Sequence, residues 1–343
     1  MKAVFRCDAS GRIGAGHVVR CLSLASALAE FGTTSHFVCR QETLSTVPDL
    51  SASGHEVIIR PSDEPIDVEM LSEVFPLGCD ILIVDHYELD ASWETTCQGW
   101  ARIILVIDDL TNRAHDCDFL LDSAADENDN SYADLTPSHC KLLLGPEYAL
   151  LRPEFARLRD KEQKSRLTTD IRIFIMFGGV DALCLAPQAV EAVLEAKADG
   201  DIYCDLVSGP LARSLPNLKE LAANSGDRIR LHVATPEVAT LMAKADIAIG
   251  AAGSASWERC CLGLPTISVC TVENQRQIAE RLAATGAARL LGTAEGLDKD
   301  TFRLALQELI DAPDKRQEMA AAASALCDGH GARRTGELIR NIL

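Results

Sequence analysis

The sequence has no CxxC pair, no GxGxxG loop, no excess of positive charge and no apolar run near the ~18 residues that a membrane-spanning helix requires. Its thirteen cysteines are odd in number and scattered singly apart from Cys260 and Cys261. They read as small reduced interior residues, which excludes a disulfide framework and a zinc site. A formal net charge of −18 repels phosphate backbones and anionic lipid surfaces, so neither nucleic acid nor membrane is expected as a partner. If the ligand is itself an anion, its site must supply local positive compensation. Short-period repeats and low-complexity tracts are also absent. The strand-like run "KAVFRC" opens the sequence without a leader-like segment, and the chain reads as cytoplasmic. Nothing in it sets an oligomeric state.

What is present is an ordinary globular composition, 47% hydrophobic and 24% charged, spread over 343 residues. That length exceeds the roughly 250 residues at which one core stops growing, so two domains are expected. The runs "AVFRC", "SHFVC", "EVIIR", "DILIVD" and "RIILVID" alternate with amphipathic stretches, as in a parallel sheet covered by helices. After the charged stretch "RPEFARLRDKEQKSR" (152–166) the alternation restarts with "IRIFIMFGG", "IYCDLVSG", "RIRLHV", "ADIAIG", "PTISVC" and "AARLLG". The expected architecture is α/β: a first Rossmann-like domain over 1–150, a second over 151–330, and a last helix over 331–343 crossing back to the first. Paired open parallel sheets place their ligand crevice at the carboxyl ends of the strands, facing a central cleft.

Four stretches at such strand ends carry candidate chemistry. In "RCDASGRIGAGHVVRC" the first strand ends near Asp8, glycines 11, 14 and 16 make a tight turn, and His17 falls in the first turn of the next helix. A helix N-terminus disfavours an imidazolium, which leaves a neutral ring able to accept a proton. Packing or capping is the competing role for this histidine. The spacing is not that of a dinucleotide fingerprint, and no acidic residue closes a second strand where one would be needed. "VDHYELD" (84–90) ends another strand and offers Asp85, His86 and Tyr87. No second histidine stands at ligand spacing, so a polar substrate wall formed chiefly by Tyr87 is preferred to a metal site, and no metal or cofactor is expected. "FGGVDALC" (177–184) lets a phosphate or sugar approach the backbone closely at Gly178 and Gly179. "GAAGSASWERCC" (250–261) runs from a strand into Gly253, Ser254 and a helix carrying Glu258, an arrangement suited to a phosphate at the helix start and a ribose diol one turn on. Asn274 and Gln275 follow the "PTISVC" strand on the same edge.

Taken together, "RCDASGRIGAGHVVRCLSLA", "DHYELD", "GPEYALLRPEF", "FGGVD" and "GAAGSASWERCCLGLPTISV" followed by "NQ" make the chain resemble the UDP-2,4-diacetamido-2,4,6-trideoxy-β-L-altropyranose hydrolases of pseudaminic acid biosynthesis. The resemblance covers nearly the whole chain. It implies a GT-B-like fold of two Rossmann-like domains, UDP held by the C-terminal domain, and a UDP-sugar substrate. It also implies that His17 is the base that activates water. Gly253, Ser254, Glu258 and Asn274 then fall on nucleotide-binding positions, and Asp8, Gly16, Tyr87, Gly178, Gly179, Cys184 and Gln275 complete the expected substrate-binding set. The family pattern continues its Gly-Gly turn with Ser or Thr and then Asp, and soon after with an Asn that contacts substrate. This sequence has Val180 after the glycines, Cys184 where that Asn is expected, and Ala255 where Thr is frequent. A GT-B glycosyltransferase acting on another acceptor, a non-catalytic nucleotide-sugar binding protein and a hydrolysing 2-epimerase are the alternatives with the same architecture.

Overall fold

The computed structural model describes residues 1–126, 130–159 and 169–343. The chain divides into two compact units, Met1–Pro153 with His330–Leu343, and Glu154–Gly329. The charged stretch 152–166 opens on a helix, and its part from residue 160 onward lies outside the described residues.

The first unit holds β1 (Lys2–Cys7), β2 (Thr34–Arg40), β3 (Glu56–Arg60), β4 (Cys79–Asp85), β5 (Ala101–Ile107), β6 (Phe119–Asp122) and β7 (Lys141–Leu144), with helices α1 (Gly16–Ala29), α2 (Glu42–Thr46), α3 (Pro48–Ala52), α4 (Val68–Val74) and α5 (Ala91–Thr96). All neighbouring strands run parallel, in the order β3-β2-β1-β4-β5-β6-β7. Residue alternation sorts the two faces: Ala3, Phe5, Cys7, Phe37 and Ile83 enter one buried cluster, Val4, Val38, Leu82 and Val84 the other. The central strands are therefore apolar on both faces for most of their length, as a sheet covered on both faces requires. On α1, Val18, Cys21, Leu24, Ala25 and Leu28 recur at helical spacing and fill the first cluster.

The second unit contains β8 (Ile171–Met176), β9 (Ile202–Ser208), β10 (Ile229–Val233), β11 (Ile247–Ala251), β12 (Thr266–Cys270) and β13 (Ala288–Thr293), again all parallel, ordered β10-β9-β8-β11-β12-β13. Its helices are α6 (Pro153–Arg159), which starts on the last residue of the first unit, α7 (Leu185–Glu195), α8 (Leu215–Asn224), α9 (Val238–Lys244), α10 (Ala255–Cys261), α11 (Arg276–Ala284), α12 (Lys299–Asp311) and α13 (Pro313–Leu326). The final helix, α14 (Gly331–Arg340), returns to the first unit, where Ala332 and Ile339 join the cluster built on α1. It fits closely there: a Cβ on Gly336 would lie 3.0 Å from the Phe31 ring. No helix among the described residues is long and apolar enough to cross a membrane.

In both sheets the strand order reverses between the first and fourth strands, β1/β4 and β8/β11. These are the switch points at whose carboxyl ends open α/β sheets bind ligands. β6 falls on the strand-like "DFLLD" segment that the loop "RAHDCD" (113–118) enters, and β7 extends the first sheet past the strands read from sequence runs. "KLLL" of β7 is too short to show a period.

A buried polar network lies at the carboxyl ends of β5 and β6. The Tyr132 hydroxyl is 3.0 Å from Oδ2 of Asp108 and 3.0 Å from Oδ2 of Asp122, while Oδ1 of Asp122 accepts from the amides of Ala124 and Ala125. One hydroxyl proton serves one acceptor, so the second contact needs a proton on a carboxyl. Of the two, Asp122 is the more readily protonated: burial, reinforced by the charge of Asp109, pushes it up to about 6 against the pull of its hydrogen bonds. Asp108 is held well below the usual carboxylate range, since His115 and Arg113 outweigh its burial. The sign follows. A carboxyl that titrates near 6 when folded and near 4 when unfolded supports the fold below pH 4, and that support is lost as pH rises through 6. Asp122→Asn, which can donate to Tyr132 and still accept from both amides, therefore stabilises the protein at pH 8 by about 2 kcal/mol. In denaturant titrations the gain shrinks steadily as the pH falls from 6 towards 4. A loss of stability at pH 8 would refute the protonated assignment.

Candidate functional site

In the first unit, β1 and β4 are neighbours with Cys7 opposite Asp85, so Asp85 stands at the carboxyl end of β4 beside the start of the turn that leads into α1. That turn closes through the Gly14 amide donating to the Ser10 carbonyl at 2.8 Å, with Gly14 at φ 86°, a conformation that favours glycine. It delivers α1 with His17, Arg20 and Cys21 at i, i+3 and i+4, on one helix face.

That face converges on one carboxylate. His17 Nδ1 lies 2.5 Å from Oδ1 of Asp85, and Arg20 donates from Nε to Oδ2 and from Nη2 to Oδ1, both at 2.6 Å. Nη1 of Arg20 continues to Asp109 at 3.0 Å. The Tyr87 ring meets the His17 ring edge to face, centroids 4.5 Å apart. Burial alone would raise the Asp85 carboxyl, but the charge of Arg20 and the contact with His17 outweigh it and hold it well below the usual carboxylate range. An ionised Asp85 only accepts, so Nδ1 of His17 carries the proton and donates it. Nε2 is then the ring nitrogen with a lone pair for an incoming proton.

Asp8 is engaged differently. Its carboxylate meets Arg6 at 2.8 Å and His86 at 3.2 Å and accepts from the Arg40 amide at 2.7 Å. With both oxygens occupied, it ties β1 to the ends of its neighbours β2 and β4. Gly16 is the first residue of α1.

In the second unit β8 leads into Phe177, Gly178 and Gly179, with Gly178 at φ 76°. A Cβ on Gly209 would fall 1.9 Å from the Gly179 carbonyl oxygen, so the turns after β8 and β9 pack backbone on backbone. Asp181 is buried and accepts from the amides of Leu185 and Ala186, at 3.0 and 3.3 Å, and from the Ser214 hydroxyl at 2.6 Å. It thereby takes up the first free amides of α7. Cys184, at the N-cap position, has φ 52°. Asn is among the residues that tolerate this left-handed conformation best, which gives a backbone reason for an Asn at this position beside any contact with substrate.

The turn after β11 is more open. Ser256 and Trp257 donate back to the carbonyls of Gly253 and Ser254, and the amides of Gly253, Ser254 and Ala255 make no hydrogen bond among the described residues. Glu258 sits one turn along α10. Gln275 closes one side: its Oε1 accepts from the amide and hydroxyl of Thr271, and its Nε2 would lie 3.3 Å from a Cβ on Gly253. Asn274 stands beside it in the 3-10 turn Glu273–Gln275. A cavity of about 460 Å³ opens alongside, with Leu183, Gln188, Thr271, Glu273, Thr293 and Glu295 in its wall.

His17 and Tyr87 thus meet at the β1/β4 switch of the first unit, while Gly178, Gly179, Gly253, Ser254, Glu258, Asn274 and Gln275 line the strand ends of the second. The pairing of His17 with Asp85 through Arg20 was not visible in sequence, although the His-x-x-Arg spacing of residues 17 and 20 holds the part of the signal that is local. Asp181 and its cap on α7 were also missed. Among the described residues no group of three or more His, Cys, Asp or Glu side chains is arranged to hold a metal ion.

No protein-family model matches the chain. It is similar to the UDP-2,4-diacetamido-2,4,6-trideoxy-beta-L-altropyranose hydrolase of Campylobacter jejuni, with 29% identity over 288 residues, 83% of this chain and 97% of that protein. The spore coat polysaccharide biosynthesis protein SpsG of Bacillus subtilis is 24% identical over 337 residues, 96% of this chain and 95% of its own. Among solved structures, the crystal structure of Acinetobacter baumannii MurG matches with a TM-score of 0.67 at 15% identity, over 99% of this chain and 100% of that one. That likeness shows the fold: two Rossmann-like domains with parallel sheets of seven and six strands, the GT-B architecture.

Proposed function

We propose that this protein hydrolyses a UDP-linked 2,4-diacetamido-2,4,6-trideoxy hexose at the anomeric C–O bond, releasing UDP and the free sugar for nonulosonic acid synthesis. The observation that carries the reading is the His17–Asp85 pair, with Asp85 kept ionised by Arg20 at a sheet switch point. Water gives a proton to Nε2 of His17 as its oxygen bonds to the anomeric carbon on the face opposite UDP. The C–O bond breaks with its electron pair leaving on the diphosphate. Asp85 holds the ring in the required tautomer and stabilises the imidazolium that forms. UDP leaves as a stabilised anion, so the paired carboxylates of ordinary glycosidases are not needed. In the second unit the open amides at Gly253–Ala255 suit the growing phosphate charge, and Glu258 suits the ribose hydroxyls.

The test is acceptor-free UDP release from UDP-2,4-diacetamido-2,4,6-trideoxy-altropyranose and from UDP-N-acetylglucosamine, with the anomeric configuration of the first product followed by NMR. Rapid release from the trideoxy sugar alone, with inversion, is the expected result. Retention would rule out a single displacement, and release that requires an added sugar or lipid acceptor would make the protein a glycosyltransferase.

A further inference from the structure

Under the turn between β11 and α10 lies a guanidinium that forms no ion pair among the described residues. Arg259 is 2% exposed. Its Nη2 donates to the Ala251 carbonyl at 2.8 Å and to the Ser256 hydroxyl at 2.9 Å, and a Cβ on Gly250 would lie 3.0 Å from its Nη1. Its Nε is buried with no hydrogen-bond partner. Other deeply placed arginines are neutralised: Arg6 by Asp8, Arg20 by Asp85 and Asp109, and Arg113 by Asp108. Arg259 forms no ion pair among the described residues, and the nearest titratable influences on it are Cys260 and Glu258.

An uncompensated buried charge is costly to a fold and persists where something offsets it. Burial pushes this guanidinium down to about 10, which leaves it charged at neutral pH. Its two hydrogen bonds hold both ends of the turn whose outward amides, Gly253 to Ala255, are open.

We propose that Arg259 is a positioning residue whose missing counter-charge is the diphosphate of the bound nucleotide, which it serves by bracing the Ala251–Ser256 turn from behind and adding positive potential to the turn's amides. This rests on the reading of that turn as the UDP site. In a chain of net charge −18 it supplies the local compensation that an anionic ligand needs.

The experiment is calorimetric titration of uridine, UMP and UDP into the wild-type chain, Arg259→Gln and Arg259→Lys. Gln keeps a polar amide and removes the charge; Lys keeps the charge. The expected result is a graded loss in the Gln variant, tenfold or more for UDP, less for UMP and under twofold for uridine, with Lys within about threefold of wild type throughout. Should the Gln variant not fold, Arg259→Met, which adds no buried polar group, carries the same comparison. Equal losses for all three ligands would reduce Arg259 to a structural brace. A wild-type chain that binds UDP while the neutral variants bind it as tightly overturns the assignment of Arg259 alone, whereas a wild-type chain that binds no UDP overturns the nucleotide reading as well.

Discussion

His17→Asn lowers the rate of UDP release by roughly 100- to 10,000-fold and leaves UDP affinity within a factor of about three, as the proposed general-base role requires, since that role gives the histidine no part in holding the nucleotide. Asparagine is smaller than histidine but can keep an N–H donor towards Asp85, and rates per folded molecule separate the chemical loss from any loss of stability. The rate loss is checked by kcat and KM for acceptor-free release together with UDP titration. Loss in KM alone, with kcat intact, would move His17 from base to binding residue.

Asp85→Asn costs on the order of 10³- to 10⁴-fold in kcat, by a different route. An asparagine can turn its NH₂ towards Nδ1 of His17 and donate to it, which forces the proton onto Nε2 and removes the lone pair that takes the proton from water. The same change takes from Arg20 the carboxylate it grips through two hydrogen bonds. Breaking a buried pair of this kind costs about 3 kcal/mol, less whatever Asp109 recovers. Denaturant unfolding reads the stability term, and rates per folded molecule read the catalytic one. His17 and Asp85 act as one unit, so the double variant is expected to be no slower than the worse single variant by more than a few-fold; additive losses would separate their roles.

Local sequence determined a good deal here. The alternation of short apolar runs with amphipathic helices specified two parallel-sheet units, because a strand buried on both faces must be apolar throughout and a helix covering it must be apolar on one side. The glycine-rich turns placed His17 and the Gly253–Ser254 pair at strand ends, since tight strand-to-helix connections depend on those residue types. What only the tertiary structure decided was partnership. Asp85 is 68 residues from His17 and meets it because β4 lies against β1 and the turn after β1 starts α1, with His17 in its first turn, beside the end of β4. In "VDHYELD" the first acid, Asp85, pairs with His17, a partnership that the segment's own spacing does not show. Arg259 reads in sequence as an ordinary charged helix residue beside Glu258, and its burial without an ion pair appears only in the folded turn after β11. Burial and charge pairing are sums over neighbours drawn from distant parts of the chain, and local spacing contains no record of them.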